Sequence, residues 1–427
     1  MSPSSRRNRE LKLLTASIFL SWLALAAVYL AKPYIDMTII ISAGLVFAVL
    51  YISDHLILRF FRPYSEPILL PLICLLTGLG LAMIYRLSQT LVIYQFLWVV
   101  IGNIVFMLLI LVVDDYRTLA GYKYSLGLIG LILLVSTIRF GSGFFEPNLW
   151  LKIGPLSFQP SEIAKLLVVI FFAAYLSEKH ELLSIFTRQV GRLFVPDVKH
   201  LGPLLVFWAI SVGLLVIQKD LGASLLFFGL FLTLLYIATD RILYVAIGSF
   251  LFLIGATGAA LALSYVNSRI QIWINPWQDV SGKGYQLVQS LFAFGSGGFW
   301  GSGLGRGFPN LIPAVSTDFI FSAFGEEIGL IGVVALIAIY IVLVARGFKI
   351  ALKTDDEFGK LLAAGLTVVF AIQTFVIIGG VSRVVPLTGI TLPFLSYGGS
   401  SILANFILFG LLILVSNQQI EEASQVS

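Results

Sequence analysis

The chain has 427 residues, of which 59% are hydrophobic and only 11% charged, and it carries a formal net charge of +5 and one cysteine. Because a soluble domain has roughly a quarter charged residues, this composition excludes an ordinary soluble protein and predicts an all-α polytopic membrane protein. The single Cys74 forms no intrachain disulfide, and without a basic stripe interleaved with aromatics the positive charge predicts no nucleic-acid partner.

Twelve apolar runs are long enough to cross a bilayer, which takes roughly 20 residues in a helix. Helices are expected because backbone groups in lipid must be satisfied within their own segment. The runs lie at 12–31, 37–53, 67–85, 92–113, 122–138, 161–177, 202–217, 221–238, 242–264, 319–345, 361–380 and 400–417. The sequence therefore predicts twelve spans, of which the pair at 202–238 is the least clearly separated.

Lysine and arginine are distributed unequally along these spans. With the N-terminus inside, most of the 27 Lys and Arg residues fall in cytoplasmic segments, as the positive-inside rule requires. Both termini are therefore predicted to be cytoplasmic. The long polar and glycine-rich loop at 265–318 is predicted to face the exterior.

Few charged residues lie at membrane depth, where their cost predicts a partner or a water-filled cavity. Glu162 and Lys165 share one helix face at i, i+3 spacing. This spacing fits an internal ion pair and, equally, the lining of an outward-facing cavity. Asp220 stands where a new span begins, so capping of that helix is the favoured interpretation.

The outer loop contains the candidate for catalysis. Asp279 belongs to no span and has no obvious helix to cap, although an aspartate turn before Ser281 and Gly282 is an alternative explanation. From spacing alone, a functional and a turn-forming role both stay open. Leucines and an aromatic recur at helical spacing over 285–294, which predicts a short helix lying along the surface.

More acidic residues open the 319–345 span. Asp318 stands at its start, where a cap is the simpler explanation. Glu326 and Glu327 lie two turns deeper and are harder to explain as caps. Because adjacent side chains on a helix point about 100° apart, at most one of these two is expected to face a given cavity, and Glu326 is the candidate.

The run 386–401 concentrates proline, glycine and hydroxyl groups at the outer mouth of the last span. A broken segment is tolerated at this depth only where it packs in protein or lines water. Its hydroxyls, including Ser396 and Ser400, fit either a structural corner or a contact with substrate, and both interpretations stay open. The histidines and the cysteine show no ligand spacing, so a zinc site is not predicted.

Seven linked motifs are together more specific than any one of them. They are F-Q-P-S-E-I-A-K at 158–165, D-L-G at 220–222, N-P-W-Q-D at 275–279, G-Y-Q-L-V-Q-S at 284–290, T-D-F-I-F at 317–321, G-E-E-I-G at 325–329 and L-P-F-L-S-Y-G-G-S-S at 392–401. In this order and spacing, over about 67–417, the chain resembles the SEDS family, the FtsW/RodA/SpoVE proteins of bacterial cell-wall synthesis. The run G-G-V-S-R-V-V-P-L-T-G is closer to the elongation branch, RodA.

The resemblance implies a ten-helix core at 67–420, preceded in 1–66 by a cytoplasmic tail and two additional transmembrane helices. It implies a peptidoglycan glycosyltransferase of the bacterial cytoplasmic membrane that polymerises lipid II into β-1,4-linked strands. The implied partners are a class B penicillin-binding protein and other components of the elongation or division machinery. A flippase for a lipid-linked precursor and a non-catalytic scaffold are the alternatives, although no pair of broken segments typical of transporters is seen.

The family's essential aspartate follows its N-P-W motif, and this position corresponds to Asp279. An inverting transfer calls for a base, which Asp279 fits, and for a group that stabilises the leaving diphosphate. The candidates for that second group are Lys165, Arg269 or a divalent cation such as Mg²⁺ or Mn²⁺. The full set of candidate substrate-binding residues is Glu162, Lys165, Arg269, Asp318, Glu326, Ser396 and Ser400, and the spans bearing Glu162, Asp220 and Asp318 are predicted to ring a cavity.

The chain departs from the family pattern at several positions. Val280 follows the aspartate where proline is common, and Lys219 replaces the proline before Asp220. The segment 313–316 lacks the usual glutamate and histidine, and Leu149 stands where arginine is frequent. Roles that depend on those missing side chains are not assigned to this chain.

Overall fold

A computed structural model describes residues 2–33, 37–140, 149–153, 156–184, 188–190, 193–195 and 198–426. Its α-helices are α1 Pro3–Ala31, α2 Met37–Phe61, α3 Leu69–Leu87, α4 Gln89–Val112, α5 Thr118–Gly121, α6 Lys123–Phe140, α7 Pro160–Ser184, α8 Val198–Ile217, α9 Leu221–Thr239, α10 Ile242–Ala262, α11 Ser264–Ile274, α12 Tyr285–Gly297, α13 Ile320–Lys353, α14 Glu357–Val381 and α15 Gly399–Val426. Two short 3₁₀ helices cover Pro276–Asp279 and Pro309–Leu311.

Within the described ranges, ten helices are long and apolar enough to cross a membrane, namely α1, α2, α3, α4, α7, α9, α10, α13, α14 and α15. Two further helices, α6 and α8, contain the shorter apolar segments Lys123–Ile138 and Leu201–Ile217. Each of the twelve predicted runs therefore lies on a helix. The prediction of a helical, multi-pass membrane protein is confirmed.

In the part of the chain that the structure describes, two short antiparallel strand pairs lie between the helices. Strand β1 Leu151–Ile153 pairs with β2 Leu156–Phe158, and β3 Arg188–Val190 pairs with β4 Leu193–Val195. The sequence did not predict these strand pairs. Strands of three residues are too short to produce a recognisable alternation of apolar and polar positions.

The described helices form two compact units. The first contains Met1–Asp114, Ser268–Arg346 and Gln373–Ser427. In it, α1 packs against α3, and α4 packs against α15. Helix α3 closely approaches the 386–401 run at Gly80, where an added Cβ atom would lie 2.6 Å from the Phe394 carbonyl oxygen. The predicted domain boundary at residue 66 stays a prediction.

A buried charged cluster joins the first two helices of this unit. On α1, Glu10 accepts a hydrogen bond of 2.7 Å from Arg7. The other oxygen of the same carboxylate lies 2.6 Å from Nδ1 of His55 on α2. All three side chains are buried. Polar contacts as well as apolar packing therefore hold α1 against α2.

The second unit contains Asp115–Asn267 and Gly347–Ile372. Its helix α7 packs against α6, α8 and α9. Aromatic rings fill this interface, with centroids 4.2 Å apart for Phe171 and Phe207 and 5.8 Å apart for Phe172 and Phe231. This aromatic core holds α7, whose first turns carry two of the candidate residues.

Helix α13 is broken near its start by Gly329, which has φ 65° and ψ −172°. Only glycine adopts this conformation without strain. The glycine-rich loop, here the segment 298–307 of the outer loop, forms hydrogen bonds at the break. The Leu330 N–H donates to the Gly298 carbonyl and the Gly303 N–H donates to the Glu327 carbonyl, both at 2.9 Å. The predicted single span at 319–345 is therefore interrupted at Gly329, where the loop backbone forms hydrogen bonds with the helix.

Candidate active site

Asp279 ends the short 3₁₀ helix that follows α11. Its carboxylate oxygen Oδ2 accepts a hydrogen bond of 2.9 Å from the Lys283 N–H, and its carbonyl accepts one of 3.0 Å from Gly284. The aspartate thus organises its own turn, which was one of the two interpretations left open. Its side chain is nevertheless exposed, so a ligand outside the protein can reach the carboxylate.

The turn brings Gly282 close to that carboxylate. A Cβ atom added at Gly282 would lie 2.5 Å from both carboxylate oxygens of Asp279. Trp277, in the same turn, packs edge-on against Phe292 of α12 with ring centroids 5.8 Å apart. The hydrogen bonds from Lys283 and Gly284, together with the contact between Trp277 and Phe292, hold the turn that carries Asp279.

An open cleft of about 530 Å³ lies beside the end of α11. It is lined by Trp273, Ile274, Leu291, Ser382 and Arg383. The cleft is shallow and open to the surface, and both apolar and polar groups line it. Trp273 and Ile274 end α11 and come shortly before Asp279 in the chain, although Asp279 itself is not among the lining residues.

Two of the candidate substrate-binding residues, Arg269 and Asp318, meet at Gly389. A Cβ atom there would lie 3.6 Å from the Asp318 carboxylate and 3.9 Å from both terminal guanidinium nitrogens of Arg269. Arg269 also donates a hydrogen bond of 2.9 Å to the Leu387 carbonyl. In the part of the chain that the structure describes, no helix N–H donates to Asp318, so its predicted role as a helix cap is wrong.

Burial raises the pKa of the Asp318 carboxyl to about 6, against the opposing effects of the Thr317 hydroxyl and the Arg269 charge. An aspartate whose pKa is raised in the folded state contributes stability that is fully present below its unfolded pKa of about 4 and is lost as the pH rises through 6. We therefore expect the wild type to lose stability relative to Asp318→Asn between pH 4 and pH 7.

This prediction is checked by thermal unfolding in detergent micelles at pH 4, 5, 6 and 7. The exposed Asp114 provides the matched variant Asp114→Asn, whose melting temperature should follow the wild type at every pH. Parallel curves for the wild type and Asp318→Asn would contradict the raised pKa.

Glu327 forms a buried ion pair with Arg86 at the end of α3. The Arg86 Nε donates to Glu327 Oε1 at 2.9 Å, and its Nη2 donates to the Gly307 carbonyl at 2.7 Å. The second carboxylate oxygen accepts a hydrogen bond of 2.8 Å from the Gly305 N–H. These contacts tie the glycine-rich loop to both α3 and α13.

Glu326 holds the same loop. Its Oε1 accepts a hydrogen bond of 2.7 Å from the Phe308 N–H. A Cβ atom at Gly307 would lie 3.0 Å from Glu327 and 3.1 Å from Glu326. The glycine-rich loop thus contacts both acids, and the expectation that at most one of them faces a given cavity stays a prediction. The predicted contact of Glu326 with substrate stays a prediction.

The serines of the 386–401 run are buried. The Ser396 hydroxyl donates to the Thr317 carbonyl at 2.5 Å and accepts a hydrogen bond of 3.0 Å from Leu392. Ser400 lies in the first turn of α15 and is 1% exposed. This geometry favours the structural corner, which fixes the segment just before Asp318. A contact of either serine with substrate stays a prediction.

Gln95 is a site-supporting residue that the sequence reasoning missed. Its side-chain nitrogen donates to the Ser396 carbonyl and its oxygen accepts from the Gly398 N–H, both at 3.0 Å. It is 1% exposed on α4. The signal that could have found it was an amide within an otherwise apolar run, where a polar side chain requires a partner.

The remaining candidates lie in the second unit. Lys165 donates a hydrogen bond to Glu162 within the first turns of α7, and both side chains are buried. The predicted ion pair is confirmed, while the lining of a cavity stays a prediction. Asp220 accepts a hydrogen bond of 2.9 Å from the Ala223 N–H at the start of α9, so the predicted cap is also confirmed.

Within the described ranges, no group of three or more His, Cys, Asp or Glu side chains is placed to hold a metal ion. Magnesium is usually bound by one or two carboxylates together with substrate phosphates. The described residues therefore do not form a closed metal site of their own.

Comparison with known proteins identifies relatives over most of the chain. Residues 65–421 match the FtsW/RodA/SpoVE family model, described as cell cycle protein. The peptidoglycan glycosyltransferase RodA of Mycobacterium tuberculosis is 43% identical over 97% of this chain and 91% of its own length. Stage V sporulation protein E of Bacillus subtilis is 36% identical over 82% of this chain and 97% of its own length.

A solved structure, "Structural coordination of polymerization and crosslinking by a peptidoglycan synthase complex", contains a chain with the same fold. That chain superposes with a TM-score of 0.69 at 28% identity. The match covers 83% of this chain and 98% of that chain. Helices α1 and α2 lie before the first residue of the family match.

Proposed function

The chain belongs to the FtsW/RodA/SpoVE family of cell cycle proteins, and we propose that, as a peptidoglycan glycosyltransferase, it polymerises lipid II into β-1,4-linked glycan strands at the outer face of the bacterial cytoplasmic membrane. The observation that carries the proposal is the exposed Asp279 carboxylate, held in its turn by the Lys283 N–H. The names of its relatives favour the enzyme over the flippase considered as an alternative.

Asp279 is proposed as the general base. The oxygen of the acceptor sugar hydroxyl attacks the anomeric carbon of the donor, and its proton passes to the carboxylate. The bond between that carbon and the lipid diphosphate breaks, and its electron pair leaves with the diphosphate. The Lys283 N–H holds Oδ2, so the other oxygen, Oδ1, is assigned to the proton.

Arg269 is the first candidate for the leaving diphosphate. A guanidinium presents several N–H donors in one plane, which suits phosphate oxygens. One terminal nitrogen is engaged by the Leu387 carbonyl, so the side chain is already oriented. Lys165, which is paired with Glu162, is the second candidate. The predicted cavity ringed by the outer ends of several spans remains part of this proposal.

The orientation and the partner are also proposed. Both termini lie in the cytoplasm, the 265–318 loop faces the exterior, and α1 and α2 are additions to a ten-helix core. A class B penicillin-binding protein crosslinks the new strand, within the elongation or the division machinery. The similarity to a chain from a peptidoglycan synthase complex supports a partner of this kind.

Reconstitution with purified lipid II tests the proposed function. The protein is placed in liposomes with its penicillin-binding partner, and the products are separated by gel electrophoresis. Long glycan strands are the expected product. A preparation that moves lipid II across the bilayer but builds no strands would overturn the proposal in favour of the flippase.

A divalent cation is proposed to neutralise charge on the diphosphate. We expect a chelator to reduce strand synthesis and added Mg²⁺ or Mn²⁺ to restore it. Because the described residues form no metal cluster of their own, the same ions should leave the melting temperature of the substrate-free protein unchanged. Full activity in excess chelator would contradict the cation requirement.

A further inference from the structure

Arg383 has a backbone conformation that arginine rarely adopts. Its φ is 64°, in the left-handed region that glycine enters freely and that other residues enter at a cost. Strained residues of this kind persist when surrounding contacts over-determine them, and they cluster at functional sites. Here the conformation belongs to the C-terminal cap of α14, where the Arg383 N–H donates to the Gly380 carbonyl at 3.3 Å and the Val384 N–H donates to the Gly379 carbonyl. The Arg383 side chain makes separate contacts.

The side chain binds the last residues of α11. Arg383 Nε donates to the Trp273 carbonyl at 2.9 Å, and Nη2 donates to the Ile274 carbonyl at 2.5 Å. In return, the Trp273 indole N–H donates to the Arg383 carbonyl at 3.2 Å. The final carbonyls of a helix have no partner within the helix, and an arginine is well suited to bind them.

The segment carrying Arg383 is itself anchored. The Val381 carbonyl accepts a hydrogen bond of 2.8 Å from the buried Ser290 hydroxyl of α12. The Val384 N–H donates to the Gly379 carbonyl at 2.7 Å. The backbone on both sides of Arg383 is therefore held by hydrogen bonds where its side chain contacts α11.

We propose that Arg383 is a positioning residue for Asp279. By binding the carbonyls of Trp273 and Ile274 it fixes where α11 ends, and the 3₁₀ turn begins two residues later at Pro276. The position and orientation of the Asp279 carboxylate depend on where this turn begins. This inference rests on the proposed function, because it assigns Arg383 to the reaction through the base.

Replacing Arg383 changes kcat, KM and the melting temperature differently depending on which of three roles the residue has. A residue that positions the base lowers kcat and leaves KM unchanged, whereas a residue that binds the diphosphate directly raises KM. A residue that only stabilises the fold lowers the melting temperature without changing the kcat of the folded fraction. The positioning role also predicts faster hydrogen exchange at the amides of Lys283 and Gly284, since both donate to Asp279.

The decisive variant is Arg383→Gly, which removes the side chain and also relieves the backbone strain. We expect its melting temperature to stay at or above that of Arg383→Ala, while kcat falls roughly 10²-fold, as a misplacement of about 1 Å produces. Arg383→Lys keeps the positive charge but lacks the two guanidinium N–H groups that bind both carbonyls. Its kcat should therefore lie between those of Arg383→Gly and the wild type. Arg306→Ala, at an exposed arginine of the same outer loop, is the matched control and should keep wild-type kcat and exchange.

The assays are strand synthesis by the reconstituted complex over a range of lipid II concentrations and hydrogen exchange read by mass spectrometry over 275–290. Unchanged kcat in Arg383→Gly, or unchanged exchange at the two amides, would overturn the inference. A raised KM with normal kcat would do so in favour of direct substrate binding. If the wild type builds no glycan, the proposed function fails instead, and the exchange measurement still tests the contact between Arg383 and α11.

Discussion

Replacing Asp279 by asparagine is expected to slow glycan polymerisation by about 10²- to 10⁴-fold, the range that general base catalysis contributes. Asparagine has nearly the same shape and keeps an oxygen that can accept the hydrogen bond from Lys283. It has no site that takes a proton from a sugar hydroxyl at neutral pH. The loss should therefore appear in the initial rate of strand synthesis and not in the melting temperature.

Two further variants define the result. Asp279→Glu keeps the carboxylate but moves it by one methylene, so we expect partial activity. Asp114→Asn makes the same chemical change at a side chain that is 97% exposed, and it should keep the wild-type rate. Normal synthesis of long strands by Asp279→Asn would show that this carboxylate is not the base and would favour a scaffold role.

The helical fold was predictable because lipid imposes a simple rule on sequence. Each predicted span was an apolar run of bilayer length, and each lies on a helix in the structure. The break at Gly329 was not predictable in this way. It depends on the approach of Gly301, whose backbone N–H would lie 2.3 Å from a Cβ atom at Gly329, and nothing local in the sequence reports that contact.

In the site, too, local contacts were predictable from the sequence and contacts between distant segments were not. The Glu162–Lys165 pair and the Asp220 cap were found from the sequence because their partners are three residues away. The Arg86–Glu327 contact joins residues 241 apart in the chain, and the Arg383 contacts with the end of α11 span about 110 residues. Spacing carries no information about such pairs, although an arginine next to an apolar run does indicate that a partner is required.

Breaking the Arg86–Glu327 pair is expected to cost about 3–5 kcal/mol of unfolding free energy, because one partner is left as an uncompensated buried charge. Both side chains are almost fully buried, at 1% and 0% exposure. Glu327→Gln and Arg86→Met each remove one charge. Reversible unfolding in mixed micelles, followed by circular dichroism, measures the loss.

The exposed Lys360–Glu357 pair has the same charges but 36% and 41% exposure, so Lys360→Met should cost less than about 1 kcal/mol. The double variant Arg86→Met/Glu327→Leu removes both buried charges and is expected to be more stable than either single variant, because apolar side chains of similar volume can replace a buried pair at little cost. If the double variant instead loses the sum of the two single effects, the pair does not act as a unit. The glycine-rich loop would then be held mainly by the other contacts of these side chains, including the 2.7 Å hydrogen bond from Arg86 to the Gly307 carbonyl.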